Sequence, residues 1–181
     1  QSTLTPTSAS ITADGVSTQV LTVTAKDANG NTLTHNGSTV VITKSSGTGT
    51  IGAVTDHGDG TYTAVVTAPT AVGSGVFVAT LGGQPVKSGT GSQTQSTVSY
   101  VAGTATQVRV ETAADGSGSV IGAQSISSGS SITGYAISRD ASNNFVANVA
   151  ATWSLVSKTG GVVDGDLVPA EIGRAAWRAR V

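Results

Sequence analysis

The residues best placed to do chemistry are side-chain oxygens spaced two apart. Asp27, Asn29 and Asn31 form a D-x-N-x-N run, which sets three oxygen donors on one short loop and resembles the start of a calcium-binding sequence. A helix-loop-helix calcium site needs Gly at the sixth position of that run and Glu at the twelfth, and here they are Thr32 and Ser38. Asn29-Gly30 is also a strong signal for a tight hairpin turn, because both residues tolerate positive φ. The run therefore reads first as a turn. A calcium ion held by oxygen-rich loops is the alternative, and it would be the one cofactor of the chain. Asp164 and Asp166, on either side of Gly165, are the next candidate pair for calcium, and Asp56, Asp59 and Asp140 are weighed in the same way.

Other reaction classes find little material. The two histidines, His35 and His57, lie in turn-like polar segments, and no Ser occupies a G-x-S-x-G elbow. The only glutamates are Glu111 and Glu171, so nothing suggests a glycosidase pair of carboxylates. With no cysteine there is no thiol nucleophile, zinc-thiolate site or disulfide framework. Lys44 or Lys158 could form an isopeptide crosslink with an Asn, but no spacing singles out a pair. Trp153 and Tyr62 read as core anchors, and a Tyr62 hydroxyl could close a loop. The chain is expected to be non-catalytic.

What must position these residues is a set of short strands. The first D-x-N-x-N turn follows the alternating run Val20-Leu21-Thr22-Val23-Thr24-Ala25-Lys26. A second copy, Arg139-Asp140-Ala141-Ser142-Asn143-Asn144, follows a similar run over 132–138. A motif that returns after about one small domain predicts tandem copies of one fold. In the first copy, strands are expected over 9–13, 18–26, 39–44, 50–55, 61–68, 76–81 and 96–101, with Gly/Asn/Asp turns between them. Leu21, Val23 and Ala25 should face the core, as should Tyr62, Ala64 and Val66. The fold class is all-β: tandem immunoglobulin-like Greek-key β-sandwiches, the second apparently truncated. One mismatch stands. Aligning the copies puts Val23 opposite Ala136, yet Tyr135 and Ile137 look like the bulkier face, so either a bulge intervenes or they face a neighbour.

The expected layout is a sandwich over 1–102, an incomplete module over 103–170 joined by the short linker around Val101-Ala102-Gly103, and a tail over 171–181. Strands matching 61–68, 76–81 and 96–101 have no evident counterparts in the second module. The tail is rich in Ala and Arg with one Trp and suits a helix better than a strand, so it reads as non-native or helical. Ile172 and Trp177 would form the apolar side of such a helix. Unpaired strands in the second module predict self-association as a homodimer.

Only 10% of the 181 residues are charged and the net charge is -1, so there is no electrostatic footprint for nucleic acid. No apolar run is long enough to cross a bilayer. The chain reads as a fragment of something larger, with any export signal or anchor outside it. A sandwich without disulfides leans towards a bacterial protein that is extracellular or on the cell surface.

Gly58-Asp59-Gly60-Thr61-Tyr62-Thr63-Ala64, together with the run from Asp27 to Asn31, resembles the bacterial immunoglobulin-like repeats of invasin and intimin adhesins. The same D-G-T-Y strand start occurs in filamin repeats. In the second module, Ala151-Thr152-Trp153-Ser154 and the stretch 160–167 look like the front half of such a repeat. The resemblance implies a spacer or adhesive array on a surface or secreted multidomain protein, with neighbouring Ig-like repeats as partners. The rival reading is an accessory module, weakly carbohydrate-binding, of a secreted polysaccharide-active enzyme.

Overall fold

The computed structural model describes residues 1–34, 37–171 and 173–178. The chain divides into two compact units, Gln1–Ala102 and Gly103–Val181. No α-helix occurs among the described residues.

In unit 1 the strands are β1 (Thr3–Thr5), β2 (Ser8–Thr12), β3 (Thr18–Thr24), β4 (Val40–Gly47), β5 (Thr50–Ile51), β6 (Thr55–Asp56), β7 (Thr61–Thr67), β8 (Gly73–Leu81), β9 (Gln84–Pro85) and β10 (Gln95–Val101). One sheet runs β1-β3-β7-β5 with β6 also on β7, and the other runs β2-β10-β8-β4 with β9 on β8. The chain changes sheet between β1 and β2, at Pro6, where the absent N–H interrupts a ladder at no cost. β2 then runs parallel to β10, and the other pairings are antiparallel.

The alternation read from sequence matches the core face. Leu21, Val23 and Ala25 are fully buried, and on β7 the buried Ala64 pairs with Leu21, Tyr62 with Val23 and Val66 with Gln19. Phe77 and Ala79 of β8, Val98 and Tyr100 of β10, and Val40 and Ile42 of β4 close the core from the other sheet. Thr22 and Thr24 point outward, where β-branched residues favour the extended backbone without needing burial. Tyr100 makes a loop latch through its hydroxyl: it donates to Thr48 O at 3.2 Å, and burial pushes its phenol pKa up. The polar stretch 82–92 contains β9 and places Val86 in the core.

Unit 2 is built on one sheet. Its elements are β11 (Gln107–Glu111), β12 (Ser131–Arg139), β13 (Phe145–Asn148), a single 3₁₀ turn (Asp164–Asp166), β14 (Leu167–Glu171) and β15 (Arg174–Arg178), in the order β11-β12-β15-β14 with β13 on β12. A hairpin follows β11: Thr112 donates to Ser119 O and Ile121 to Val110 O. β12 is buried without alternation from Ala136 to Arg139, and its register against β13 shifts between Ser138 and Arg139. Ala136 and Ile137 are therefore both covered, which accounts for the facing mismatch in the sequence.

The tail departs from expectation. Arg174–Arg178 is a strand, not a helix, and it lies between β12 and β14. It also answers the apparent loss of a strand like β7. Leu21 pairs with Ala64 and Thr22 with Thr63 in unit 1, and the residues at the same places in unit 2, Gly134 and Tyr135, pair with Ala175 and Arg174. β15 thus holds the β7 position, and the second module extends through it rather than ending at 170. Helix propensity among Ala and Arg amounts to a few tenths of a kcal/mol per residue, less than a strand gains by pairing on both sides.

Candidate functional site

The twin turns are the same local structure. In unit 1, Asp27 N–H donates to Asn31 O (2.9 Å) and Gly30 N–H to Asp27 O (3.2 Å). Asp27 Oδ1 accepts the N–H groups of Asn29 (2.9 Å) and Asn31 (2.8 Å), and Oδ2 accepts Asn31 Nδ2 (3.0 Å). In unit 2, Asp140 N–H donates to Asn144 O (3.0 Å) and Asn143 N–H to Asp140 O (3.1 Å). There Oδ1 accepts Asn144 N–H (2.8 Å) and Oδ2 accepts Asn144 Nδ2 (3.0 Å). The residue before each closing Asn has positive φ, +89° at Gly30 and +69° at Asn143, as this turn requires. The shared pattern is D-x-x-x-N.

The carboxylate proposed as a calcium ligand therefore already serves its own turn. The Asn31 side chain, followed by the N–H groups of Asn31, Asn29 and Gly30, holds the Asp27 carboxyl below the usual aspartate range. Asn29 and Asn31 are exposed. The second pair is separated by function. Asp164 accepts Lys158 Nζ at 2.7 Å, while Asp166 is buried and its Oδ2 turns back to Val163 N–H at 2.9 Å. Among the described residues no group of three or more acidic or histidine side chains is gathered.

The D-G-T-Y motif is also structural. Asp59 Oδ1 accepts Thr61 N–H (2.9 Å) and Thr61 Oγ1 (2.6 Å), starting β7. Gly60 has φ +89°, and a Cβ there would stand 2.8 Å from Leu33 O, so only glycine lets the two loops meet. His57 Nε2 lies 2.8 Å from Thr63 Oγ1 in an exposed setting, and His35 lies outside the described residues. Lys44 Nζ donates to Gly49 O (2.8 Å) and Lys158 Nζ to Asp164, so among the described residues neither lysine named for a crosslink has its ammonium on an Asn.

Sequence reasoning missed a buried ion pair. Arg139 donates through Nε to Glu111 Oε1 and through Nη2 to Glu111 Oε2, both at 2.6 Å, with side-chain exposures of 9% and 1%. Its remaining donors reach Asn143 O (2.8 Å) and Gly116 O (2.7 Å). The Arg139 hydrogen bonds hold the Glu111 carboxyl below its ordinary range, and the same pair raises the arginine pKa. One guanidinium therefore ties β11, the following hairpin and the second twin turn together. The available signal was small: one of only two glutamates ends an alternating strand, and Arg replaces Lys26 just before the second Asp.

Unit 2 also has a cavity of about 620 Å³, lined by Trp153, Trp177, Val110, Ile121, Leu155 and Val162 among others. Trp153, expected as a core anchor, lies in an irregular segment, half-buried at the cavity wall. Trp177 crosses Gly134 and Val110, near enough that a Cβ on Gly134 would stand 3.0 Å from each.

The model of the family described as "Invasin, domain 3" matches residues 1–103. No curated protein matches the chain. Among solved structures, invasin, a bacterial integrin-binding protein, is 21% identical over 99% of this chain and 34% of its own, with a TM-score of 0.57. The Yersinia pseudotuberculosis adhesin InvE is 26% identical over 77% of this chain and 34% of its own, with a TM-score of 0.48. The Escherichia coli adhesin FdeC is 18% identical over 99% and 55%, with a TM-score of 0.50. The chain thus spans about a third of the invasin and InvE structures, and its likeness to invasin is one of fold. With more than half of its length matched by the family model, the chain belongs to the invasin domain 3 family.

Proposed function

We propose that this chain is a non-catalytic, tension-bearing spacer segment of a bacterial adhesin, extracellular or on the cell surface, with neighbouring Ig-like repeats as its partners. The family match over unit 1 carries the reading, and the repeated β3-β7 and β12-β15 registers extend it to a tandem arrangement. The connection between units favours it as well. Ala13 N–H donates to Val101 O on one side, and Gly103 N–H donates to Asp140 Oδ2 on the other, so Ala102 alone separates the two anchored residues. Tension along the chain loads β2, near the start of unit 1, against β10 at its end. Because these strands are parallel, the five residue pairs from Ser8–Thr97 to Thr12–Val101 must shear together. In single-molecule pulling on the full chain, unit 1 is expected to give a distinct force peak. Prolines at both Ala9 and Ser10 should lower that peak and leave the unit 2 event unchanged. Unfolding of unit 1 without a resolvable peak would count against the spacer reading.

The cavity favours a second feature, homodimerisation through unit 2. Val156 at its rim is 83% exposed and Val162 39% exposed, beside two half-buried tryptophans. A second copy could cover this apolar surface. Sedimentation is expected to show a concentration-dependent dimer that Val156→Asp abolishes. A monomer at all concentrations removes this feature and leaves the spacer reading intact.

A further inference from the structure

The twin turns differ in what lies against them. At the second, Asp140 Oδ2 accepts Gly103 N–H at 2.9 Å, Arg139 O accepts Thr106 N–H at 2.9 Å, and Asp140 O accepts Gln107 Nε2 at 3.1 Å. The incoming linker 103–106 thus lies along the turn and covers it. Asp140 is 3% exposed and Asn144 9%, whereas Asp27 is half-buried and Asn31 exposed. Burial alone would push the Asp140 carboxyl up, but the Asn144 side chain and Gly103 N–H, with other turn bonds, hold it below its usual range.

The sheet register shows where the same path runs at the first turn. Thr3 pairs with Thr24 as Arg109 pairs with Ile137, so Gln1 takes the place of Gln107. Gly103 then corresponds to the fourth residue upstream of Gln1. The acceptors are present: Lys26 O matches Arg139 O, and Asp27 Oδ2 matches Asp140 Oδ2. Gln1 already points along this path, its terminal ammonium donating to Asp27 O at 3.1 Å as the Gln107 side chain does to Asp140 O. Beside it is a hollow of about 270 Å³, bordered by Gln1, Ser2, Leu81, Pro85 and Val86.

We infer that the Asp27 turn is a cradle for an extended linker backbone entering unit 1 from its N-terminal side, with linker N–H groups donating to Asp27 Oδ2 and Lys26 O. The occupant is the segment that leads in from a preceding repeat, an identity that rests on the tandem spacer reading. A backbone N–H on a carboxylate is a charge-assisted bond and depends on no particular linker side chain, so one motif can receive different linkers. D-x-x-x-N is then both a turn and a receptor for the neighbouring module.

The test places Val-Ala-Gly-Thr-Ala-Thr, the sequence of 101–106, before Gln1 of the full chain, so that the added glycine has a backbone amide, and follows amide hydrogen exchange by NMR. The added glycine amide is expected to exchange at least about tenfold more slowly than in a free peptide, and the same slowing is expected at Gly103, whose N–H is bonded to Asp140 Oδ2. Asp27→Ala should remove the slowing at the added glycine and leave that at Gly103. Free-peptide exchange at the added glycine beside a slowed Gly103 overturns the inference, as does slowing that survives Asp27→Ala. If Asp27→Ala does not fold, the result in the unsubstituted turn decides. The readout involves no force, so failure of the pulling experiment and failure of the cradle are separate results.

Discussion

An Arg139→Met variant is expected to lose about 3–5 kcal/mol of unit 2 stability while unit 1 keeps its own. The loss arises from what remains. Glu111 would be a carboxylate with 1% side-chain exposure that has lost its hydrogen-bonded cation and keeps only the weaker attraction of Arg109, and Gly116 O and Asn143 O would lose their arginine donors. For a domain at the low end of ordinary stability, about 5 kcal/mol, a loss of that size leaves little or no folded population. Both tryptophans belong to unit 2, so tryptophan fluorescence during denaturant unfolding reads that unit alone. Glu111→Leu combined with Arg139→Met should be less damaging than the sum of the single changes, because no charge is stranded. Acid should act in the same direction. Since Arg139 holds the folded-state Glu111 pKa below the ordinary 4.5, its contribution is complete above that value and is lost as pH falls through the lowered one. In Glu111→Gln this part of the acid dependence should vanish. An Arg139→Met variant as stable as the parent would show that the pair contributes nothing.

Ala175→Pro should abolish the cooperative unfolding transition of unit 2. Ala175 is fully buried on the inner strand β15, between Gly134 of β12 and Pro169 of β14. An inner strand sends every N–H to one neighbour or the other, so proline there removes a ladder bond and leaves a bare carbonyl in a buried setting, at about 1–3 kcal/mol before any clash of the ring. The same change at Ala176, which is half-buried on the same strand, should be damaging too, so the effect belongs to β15 and not to one tight site. If residues 174–178 were an appendage to a module ending at 170, both variants would unfold like the parent. Near-UV circular dichroism and tryptophan fluorescence separate the outcomes, because Trp177 reports on the strand itself and Trp153 on the cavity opposite.

The parts of this molecule legible in the sequence are those where local pattern and tertiary position agree. Leu21 and Val23 of β3 and Tyr62, Ala64 and Val66 of β7 recur at every second position, and all five are buried. The twin turns announce themselves because Asp, Gly and Asn supply the bond acceptor and the positive φ that the turn needs. β15 was hidden because its Ala, Arg and Trp prefer helix locally, and only the open side of β12 makes them a strand. The Glu111–Arg139 pair was hidden for another reason. Its partners are 28 residues apart, and nothing local distinguishes a buried charge from a solvated one. Trp153 reads as a core anchor, but 149–163 forms no strand in unit 2 and the ring stands at a cavity wall. The candidate site was half visible: the sequence marked the turn at Asp27 but not that its copy at Asp140 receives the linker.

The order β2-β10-β8-β4 also constrains how unit 1 comes into being. β2 has β10 as its neighbour in that sheet, and the first contact between them joins Ser8 to Thr97. A chain emerging N-terminus first must therefore carry its opening segment without that ladder until almost the whole unit has followed. Closing so long a loop before any bond repays it slows folding. By contrast, β3 can meet β7 once about two-thirds of the unit has emerged. The first sheet can thus assemble while the other still lacks an inner strand, and completion of the sandwich is timed by the arrival of Gln95–Val101.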